Sequence, residues 1–170
     1  MRRLRGQLTE VRSAGEADAD LLVAWHADPD VAHFWDGETF TRDEILARLT
    51  REPVTAWIVE AGGEPVGYLQ SWWADGTPRR GGLDMFLIPP ARGRGLGPDA
   101  ARALAESLVA DGWAEVTVDP YLWNERAIRA WGRAGFAAIE ERPADDEHTA
   151  PWLLMRYTAA AVEPGSRRQP

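Results

Sequence analysis

Two hydrophobic rhythms alternate along the chain, and their succession predicts its elements. Residues 54–60 and 66–73 are rich in β-branched and aromatic side chains and are separated by Ala-Gly-Gly-Glu-Pro, so they are expected to form a hairpin. A third run, 82–88 (GLDMFLI), should pair beside them. Earlier, 7–12 (QLTEVR) predicts a strand, and 17–28 predicts a helix that stops before Pro29. Thr41 and Glu44 have the spacing of a capping box, with Ile45, Leu46 and Leu49 as the apolar stripe of a second short helix, ended before Pro53.

In the second half, Pro98 and Asp99 suit the first turn of a helix on which Ala101, Leu104, Ala105, Leu108 and Val109 share one face, with Gly112 as its stop. Residues 115–119 read as a strand, and Asn124 can cap a helix carrying Ala127, Ile128 and Trp131 on one face before Gly135. Residues 136–140 and 152–158 are closing strands. This alternation predicts an α/β or α+β layout, a mixed central sheet flanked by helices. With 170 residues and neither repeat nor linker, it is one domain, followed by a disordered tail at 163–170.

Composition narrows the chemistry. Nineteen arginines, no lysine and 27 carboxylates give a formal charge of -8, which disfavours nucleic acid or anionic lipid and suits a cationic small partner. With no cysteine, disulfides, thiolate metal sites and a cysteine nucleophile are excluded, and His26, His33 and His148 are too scattered to suggest a zinc cluster, so no metal is expected. No apolar run approaches the roughly 20 residues of a membrane span, and the N-terminus lacks a signal-peptide stretch. The expectation is a soluble cytoplasmic protein, monomeric or homodimeric.

Between the third strand and its helix lies Arg92-Gly93-Arg94-Gly95-Leu96-Gly97-Pro98. Three glycines in five residues leave backbone N–H groups uncovered, the helix N-terminus adds its positive end, and Arg92 and Arg94 add local charge, so this loop is built to receive pyrophosphate. A glycine-rich turn with solvated arginines is the bland alternative. The spacing lacks the Lys-Ser/Thr of a P-loop and the position of a dinucleotide fingerprint.

The sequence resembles the GCN5-related N-acetyltransferases, whose signature Arg/Gln-x-x-Gly-x-Gly/Ala is met by Arg92, Gly95 and Gly97. The segment from Asn124 to Phe136 (NERAIRAWGRAGF) is similar to that family's closing helix. More narrowly, Gly67-Tyr-Leu-Gln-Ser71, Leu83-Asp-Met-Phe-Leu87 and Asp119-Pro120 look like the aminoglycoside 6′-N-acetyltransferase branch. The resemblance implies a GNAT-like domain over 1–162 and acetyl-CoA as co-substrate. It places the pyrophosphate on the loop and helix, the pantetheine arm against Asn124, and the thioester near the backbone N–H groups of Phe86, Leu87 and Ile88, where a bulge would separate a pair of parallel strands. By the same resemblance Asp84, a carboxylate interrupting an apolar strand, accepts the proton of the incoming amine, and Asp119 binds that amine. Where many members carry a tyrosine that protonates the leaving thiolate, this chain has Trp131, whose indole is no useful acid. Trp131 is expected to pack, forming one wall for the pantetheine; water or Tyr121 is left to supply the proton, or the thiolate leaves unprotonated, since a thiol pKa near 8.5 makes it a tolerable leaving group.

Nine tryptophans exceed ordinary usage. Trp25, Trp57, Trp113 and Trp152 lie within regular elements and should pack. Trp35, near Asp36 and Glu38, and the pair Trp72 and Trp73 fall in or beside acidic loops, where aromatic faces with carboxylates suit a polycationic sugar. The run Asp145-Asp146-Glu147 reads as a solvated loop, and His33 and His148 as surface or local hydrogen-bonding residues. The expected reaction is direct acetyl transfer to a primary amine, foremost the 6′-amine of an aminoglycoside. Alternatives are a lysine-derived siderophore precursor or a polyamine as acceptor, and a non-catalytic acyl-CoA-binding module.

Overall fold

In the computed structural model, which describes residues 2–74 and 76–158, one eight-stranded sheet runs through the chain. Its strands are β1 (Arg3–Arg5), β2 (Glu10–Ser13), β3 (Val54–Ala61), β4 (Glu64–Ala74), β5 (Arg80–Leu87), β6 (Glu115–Val118), β7 (Phe136–Arg142) and β8 (Trp152–Tyr157), in spatial order β1-β2-β3-β4-β5-β6-β8-β7. The helices are α1 (Ala19–Ala27), α2 (Pro29–Ala32), α3 (Arg42–Leu49), α4 (Leu96–Ala110) and α5 (Glu125–Ala134). Neighbouring strands are antiparallel except β5 and β6, which gives the mixed sheet that the periodicity predicts. The tail expected at 163–170 lies outside the described residues. No helix among the described residues is long and apolar enough to cross a membrane.

Two early elements differ from expectation. The single strand expected at 7–12 is the second half of a small hairpin, since Gly6 to Thr9 turn between β1 and β2. Asp99 holds that turn by accepting from the N–H groups of Gln7, Leu8 and Thr9 at 2.8–2.9 Å, a long-range contact without local signature. Pro29 does not simply end a helix. It opens α2, because a proline costs nothing at a first helical position and Asp28 caps the turn by accepting from the Asp30 N–H at 2.9 Å.

Strand alternation sorts the core into two layers. Trp57, Val59, Leu69 and Leu83 meet the α4 stripe of Ala101, Leu104, Ala105 and Leu108, whereas Ile58, Tyr68 and Phe86 meet Leu22 of α1 and Ile45 of α3. Burying each large apolar side chain contributes about 1.5–3 kcal/mol, so both faces of the central strands are held firmly.

That rigidity matters where the sheet opens. β5 pairs with β6 only through Arg80, Gly81 and Gly82, opposite Glu115, Val116 and Thr117, and then runs on to Leu87 paired with β4 alone. No bulge accompanies the opening, contrary to the expectation, since the β4–β5 register is unbroken from Ala74 opposite Arg80 to Gly67 opposite Leu87. The strands separate because β6 stops at Val118, before Asp119 and a proline that has no N–H to extend a ladder.

Candidate active site

The loop after β5 has the donors its sequence promises. Gly93 and Gly95 sit at φ +75° and +78°, a left-handed backbone that side chains resist, and Gly95 stands at the cap position of α4. This winding leaves the N–H groups of Gly93, Arg94, Gly95, Leu96 and Gly97 without an acceptor among the described residues; Pro98 contributes none. Five unmet donors at the start of a fifteen-residue helix form an anion cradle that fits a diphosphate. Arg94 is exposed beside it.

Arg92 has a different task from the one its charge suggests. Its Nε donates to the Leu87 carbonyl and its Nη2 to the Asp30 carbonyl, both at 2.9 Å, so the guanidinium ties the end of β5 to α2. A cation that sequence reasoning missed, Arg126 of α5, approaches the loop instead. A Cβ added at Gly93 would stand 3.7 Å from its Nη2. Its position on the exposed face of α5, two residues after the cap, was the available signal.

Ladder alternation decides which amides of β5 face the opening. The Ile88 N–H donates to the Val66 carbonyl at 3.0 Å, so even-numbered residues of β5 point their backbone groups at β4 and odd-numbered ones point away. Hence Ile88 and Phe86 are turned from the gap, and Phe86 buries its ring in the α1–α3 layer. Leu87 keeps its expected place, and Met85, unnamed by the sequence reading, joins it.

Asp84 lies past the last β5–β6 pair, half-buried at the floor of a cleft of about 370 Å³. Burial first, then the charges of Asp119 and Asp36, push its carboxyl up to about 7, against the opposing pull of the Gln70 hydrogen bond and of His148. Gln70, its cross-strand partner, donates to it at 2.8 Å and accepts from the Tyr68 hydroxyl at 3.0 Å. This Tyr68–Gln70–Asp84 chain was missed: strand alternation puts Tyr68 and Gln70 on one face of the run 66–73, but aligning Asp84 with them needs the register of the run 82–88 beside it.

Around Asp84 the cleft gathers Asp119, Asp36, Glu38, Trp35, Trp72, Tyr121, Asn124 and Trp131. Asn124 caps α5 by accepting from the Ala127 N–H at 3.1 Å, and its amide nitrogen has no partner among the described residues. Trp131 is buried against Phe136, as expected of a packing wall. Asp36 accepts from the Tyr121 hydroxyl at 3.0 Å, and Glu38 lies 3.6 Å from Arg48. Trp35 packs edge-on against Tyr68 and Phe86 while lining the cleft.

Trp72 and Trp73 do not act together. Adjacent strand residues point to opposite faces, so Trp72 enters the cleft while Trp73 crosses to a separate cavity and meets Trp113. That corrects the assignment of Trp73 to an acceptor wall. Trp72 owes its place to Gly82, where a Cβ would come within 2.7 Å of the indole and 2.9 Å of the Thr117 carbonyl. Glu147, from the run read as a solvated loop, lines the cleft, and His148 makes the local hydrogen bond expected of it, to Asp145 at 2.8 Å, while also lining the cleft and reaching Asp119 at 3.2 Å. Trp123, unassigned from sequence, stacks on Tyr121 with ring centres 5.6 Å apart.

The fold is shared with known proteins. Residues 14–143 match the profile of the acetyltransferase (GNAT) domain family. The aminoglycoside N(6′)-acetyltransferase type 1 of Klebsiella pneumoniae is 35% identical over 174 aligned residues, covering 90% of this chain and 84% of that protein. The solved structure of AAC(6′)-Ib with paromomycin and acetyl-CoA is similar at a TM-score of 0.77 and 29% identity, covering 90% of this chain and 94% of that one. Another, with coenzyme A and kanamycin, gives 0.75 and 28%, over 89% and 95%.

Proposed function

Since the chain belongs to the GNAT acetyltransferase family, we propose that Asp84 takes the proton of its acceptor, the 6′-amine of an aminoglycoside. The protein is an acyltransferase that uses acetyl-CoA and acetylates aminoglycosides. The co-substrate supplies an activated thioester. What this chain's own residues do follows from the cleft.

The N–H groups of Gly93, Arg94, Gly95, Leu96 and Gly97 hold the diphosphate, with Arg94 and Arg126 as nearby counter-charges. The Asn124 amide and the wall of Trp131 receive the pantetheine arm. The Met85 and Leu87 N–H groups face the gap and polarise the acyl carbonyl as charge develops on its oxygen. An alkyl ammonium with a reference pKa of about 10 costs roughly 1–4 kcal/mol to deprotonate near neutrality. Asp84, Asp119 and Asp36 first attract it as a cation, and Asp84, matched to neutral pH, then accepts the proton. Without any cysteine, attack on the acyl carbon is direct. Trp131 offers no proton to the departing thiolate, and a thiol pKa near 8.5 makes the demand modest; water or Tyr121, which lines the cleft with its hydroxyl donated to Asp36, meets it.

The observation that carries this reading is a half-buried carboxyl, tuned to neutrality, on the unpaired edge that leads into five unmet N–H donors. Thiol release from acetyl-CoA tests it against an aminoglycoside with a 6′-amine, its 6′-hydroxyl analogue, a polyamine and a lysine derivative. Turnover is expected with the first and not with its hydroxyl analogue. Absence of turnover with every aminoglycoside refutes the acceptor.

A further inference from the structure

Among the groups that line the cleft without a role in that scheme is an imidazole. His148 stands on the loop between β7 and β8, with its side chain only 13% exposed. Its Nε2 lies 3.2 Å from Asp119 Oδ2 and its Nδ1 2.8 Å from Asp145 Oδ1. The ring is stacked on Trp152 at 4.2 Å and 17°, and the Trp152 indole N–H donates to the other oxygen of Asp145 at 3.2 Å. Backbone N–H groups of Glu147 and His148 also donate to Asp145, at 2.9 and 2.7 Å. Asp145 is thus fixed on three sides, and it fixes the imidazole in turn.

Both ring nitrogens face carboxylate oxygens. A neutral imidazole carries one N–H and would leave a lone pair against one of those carboxylates; the imidazolium satisfies both. We propose that His148 is a positioning residue: clamped as a cation between Asp145 and Asp119, it neutralises Asp119 and thereby sets the charge state of Asp84 in the same cleft. The inference deepens the reading of Asp84 as proton acceptor and rests on it.

The charges around His148 define what the clamp does. Asp119 faces it from the end of β6, Asp145 and Glu147 from its own loop, and Tyr121 from the β6–α5 connection, edge-on at 6.1 Å. Behind Trp152 stands Arg142 of β7, its guanidinium 5.2 Å from the indole centre. In the same cleft stand Asp84 on β5, Asp36 and Glu38 on the segment after α2, and Arg48 of α3, which lies 3.6 Å from Glu38. Burial lowers the imidazole's affinity for a proton, but Asp145 and Asp119 more than offset this, and its pKa is raised. Of these groups Asp119 pushes the Asp84 carboxyl up and the imidazolium pulls it down, so the clamped pair acts on Asp84 in opposite senses. With His148 charged, the Asp119–His148 pair presents little net charge; without it, Asp119 repels an ionised Asp84.

Carboxyl ¹³C NMR titration of the free protein tests this without any substrate. His148→Gln keeps an amide donor but removes the charge, and should raise the Asp84 midpoint by about half to one pH unit. Asp119→Asn should lower it, and the double variant should titrate below His148→Gln. An Asp84 midpoint that His148→Gln leaves in place overturns the proposal, as does a double variant that titrates with His148→Gln. If His148→Gln does not fold, His148→Asn takes its place, with the same rise expected and an unmoved midpoint again counting against the proposal. Where the 6′-amino aminoglycoside is turned over, the acid limb of kcat/KM should follow the NMR midpoints; a merely structural His148 would lower kcat at every pH and leave the limb where it is. Lack of turnover refutes the acceptor assignment and leaves the titration result standing, so the two failures are distinguishable.

Discussion

Two charge clusters on the same sheet are assembled in opposite ways. At β2, Arg12 donates to both oxygens of Asp18 at 2.7 and 2.8 Å and to Glu60 at 2.6 Å, while Arg3 adds a second donor to Glu60 at 2.9 Å. The hydrogen bonds from Arg12 hold Asp18 below the usual carboxylate range. Glu60 is held low too, despite the upward push of burial, and Arg12 itself is raised. At β5, Asp84 has a single amide donor, and burial pushes it up toward neutrality. Where charge is structural, the fold supplies the cation; where a cation has to arrive, the fold leaves its place open.

Removing the central group of each cluster should break different things, and the larger effect belongs to β5. Asp84→Asn keeps the hydrogen-bonding shape but cannot accept a proton, so kcat/KM in the thiol-release assay should fall about 10²- to 10⁴-fold. Full activity in that variant would end its assignment as the base. Arg12→Met should instead leave two carboxylates poorly solvated and lower unfolding free energy by about 2–4 kcal/mol in urea, with kcat per folded molecule unchanged.

The contrast between these clusters was only partly legible in the sequence. Apolar periodicity and turn residues specify the β3–β4 hairpin, α4 and the closing strands because those signals are local. The glycine loop and Asp84 are legible for a similar reason, since a carboxylate within an apolar strand or three glycines before a helix needs explaining wherever it occurs. Arg92 misled because charge alone does not show direction: its guanidinium is spent on two carbonyls. His148 was passed over because its partners, Asp119 and Trp152, come from two other strand ends, and such a meeting is written in topology. Trp73 is different, for the alternation of side chains along β4 was enough to separate it from Trp72.

Stability against pH sharpens the comparison, with opposite signs at the two sites. Asp84 has a folded value of about 7 and an ordinary unfolded value near 4. At low pH both states hold the proton and the residue contributes nothing. As pH rises from 4 to 7 the unfolded chain ionises first, so stability falls, and above 7 the full penalty is present. Allowing for partial solvation of the cleft, Asp84→Asn should be more stable than the parent by about 1–3 kcal/mol at pH 8 and equal to it at pH 3.5, read from denaturant midpoints. Asp18, held low by Arg12, acts in the reverse sense: its contribution is present above its unfolded value and is lost as pH falls through its folded one. Arg12→Met should therefore cost least in acid. A parent and Asp84→Asn with parallel curves from pH 3.5 to 8 would mean that burial does not tune Asp84.

The smallest expected effect separates the two neighbouring indoles. An open place for a cation is better filled if an aromatic face lies beside the carboxylates, since a guest ammonium or ring C–H surface gains about 0.5–2 kcal/mol there. Trp72 is so placed, over Gly82 and in the cleft with Asp84, whereas Trp73 meets Trp113 on the far face, with Arg79 stacked 4.5 Å from its ring centre. Trp72→Ala should raise KM for a polycyclic aminoglycoside by about 3- to 20-fold with kcat nearly preserved, while a short linear amine loses nothing. Trp73→Ala should leave both KM values alone and lower the melting temperature, because an edge-to-face aromatic pair contributes about 0.5–1.5 kcal/mol beyond its buried area. Equal KM changes from the two substitutions would mean that the indoles work on one side of the sheet, which the β4 register forbids, and would move the acceptor away from the face that carries Asp84.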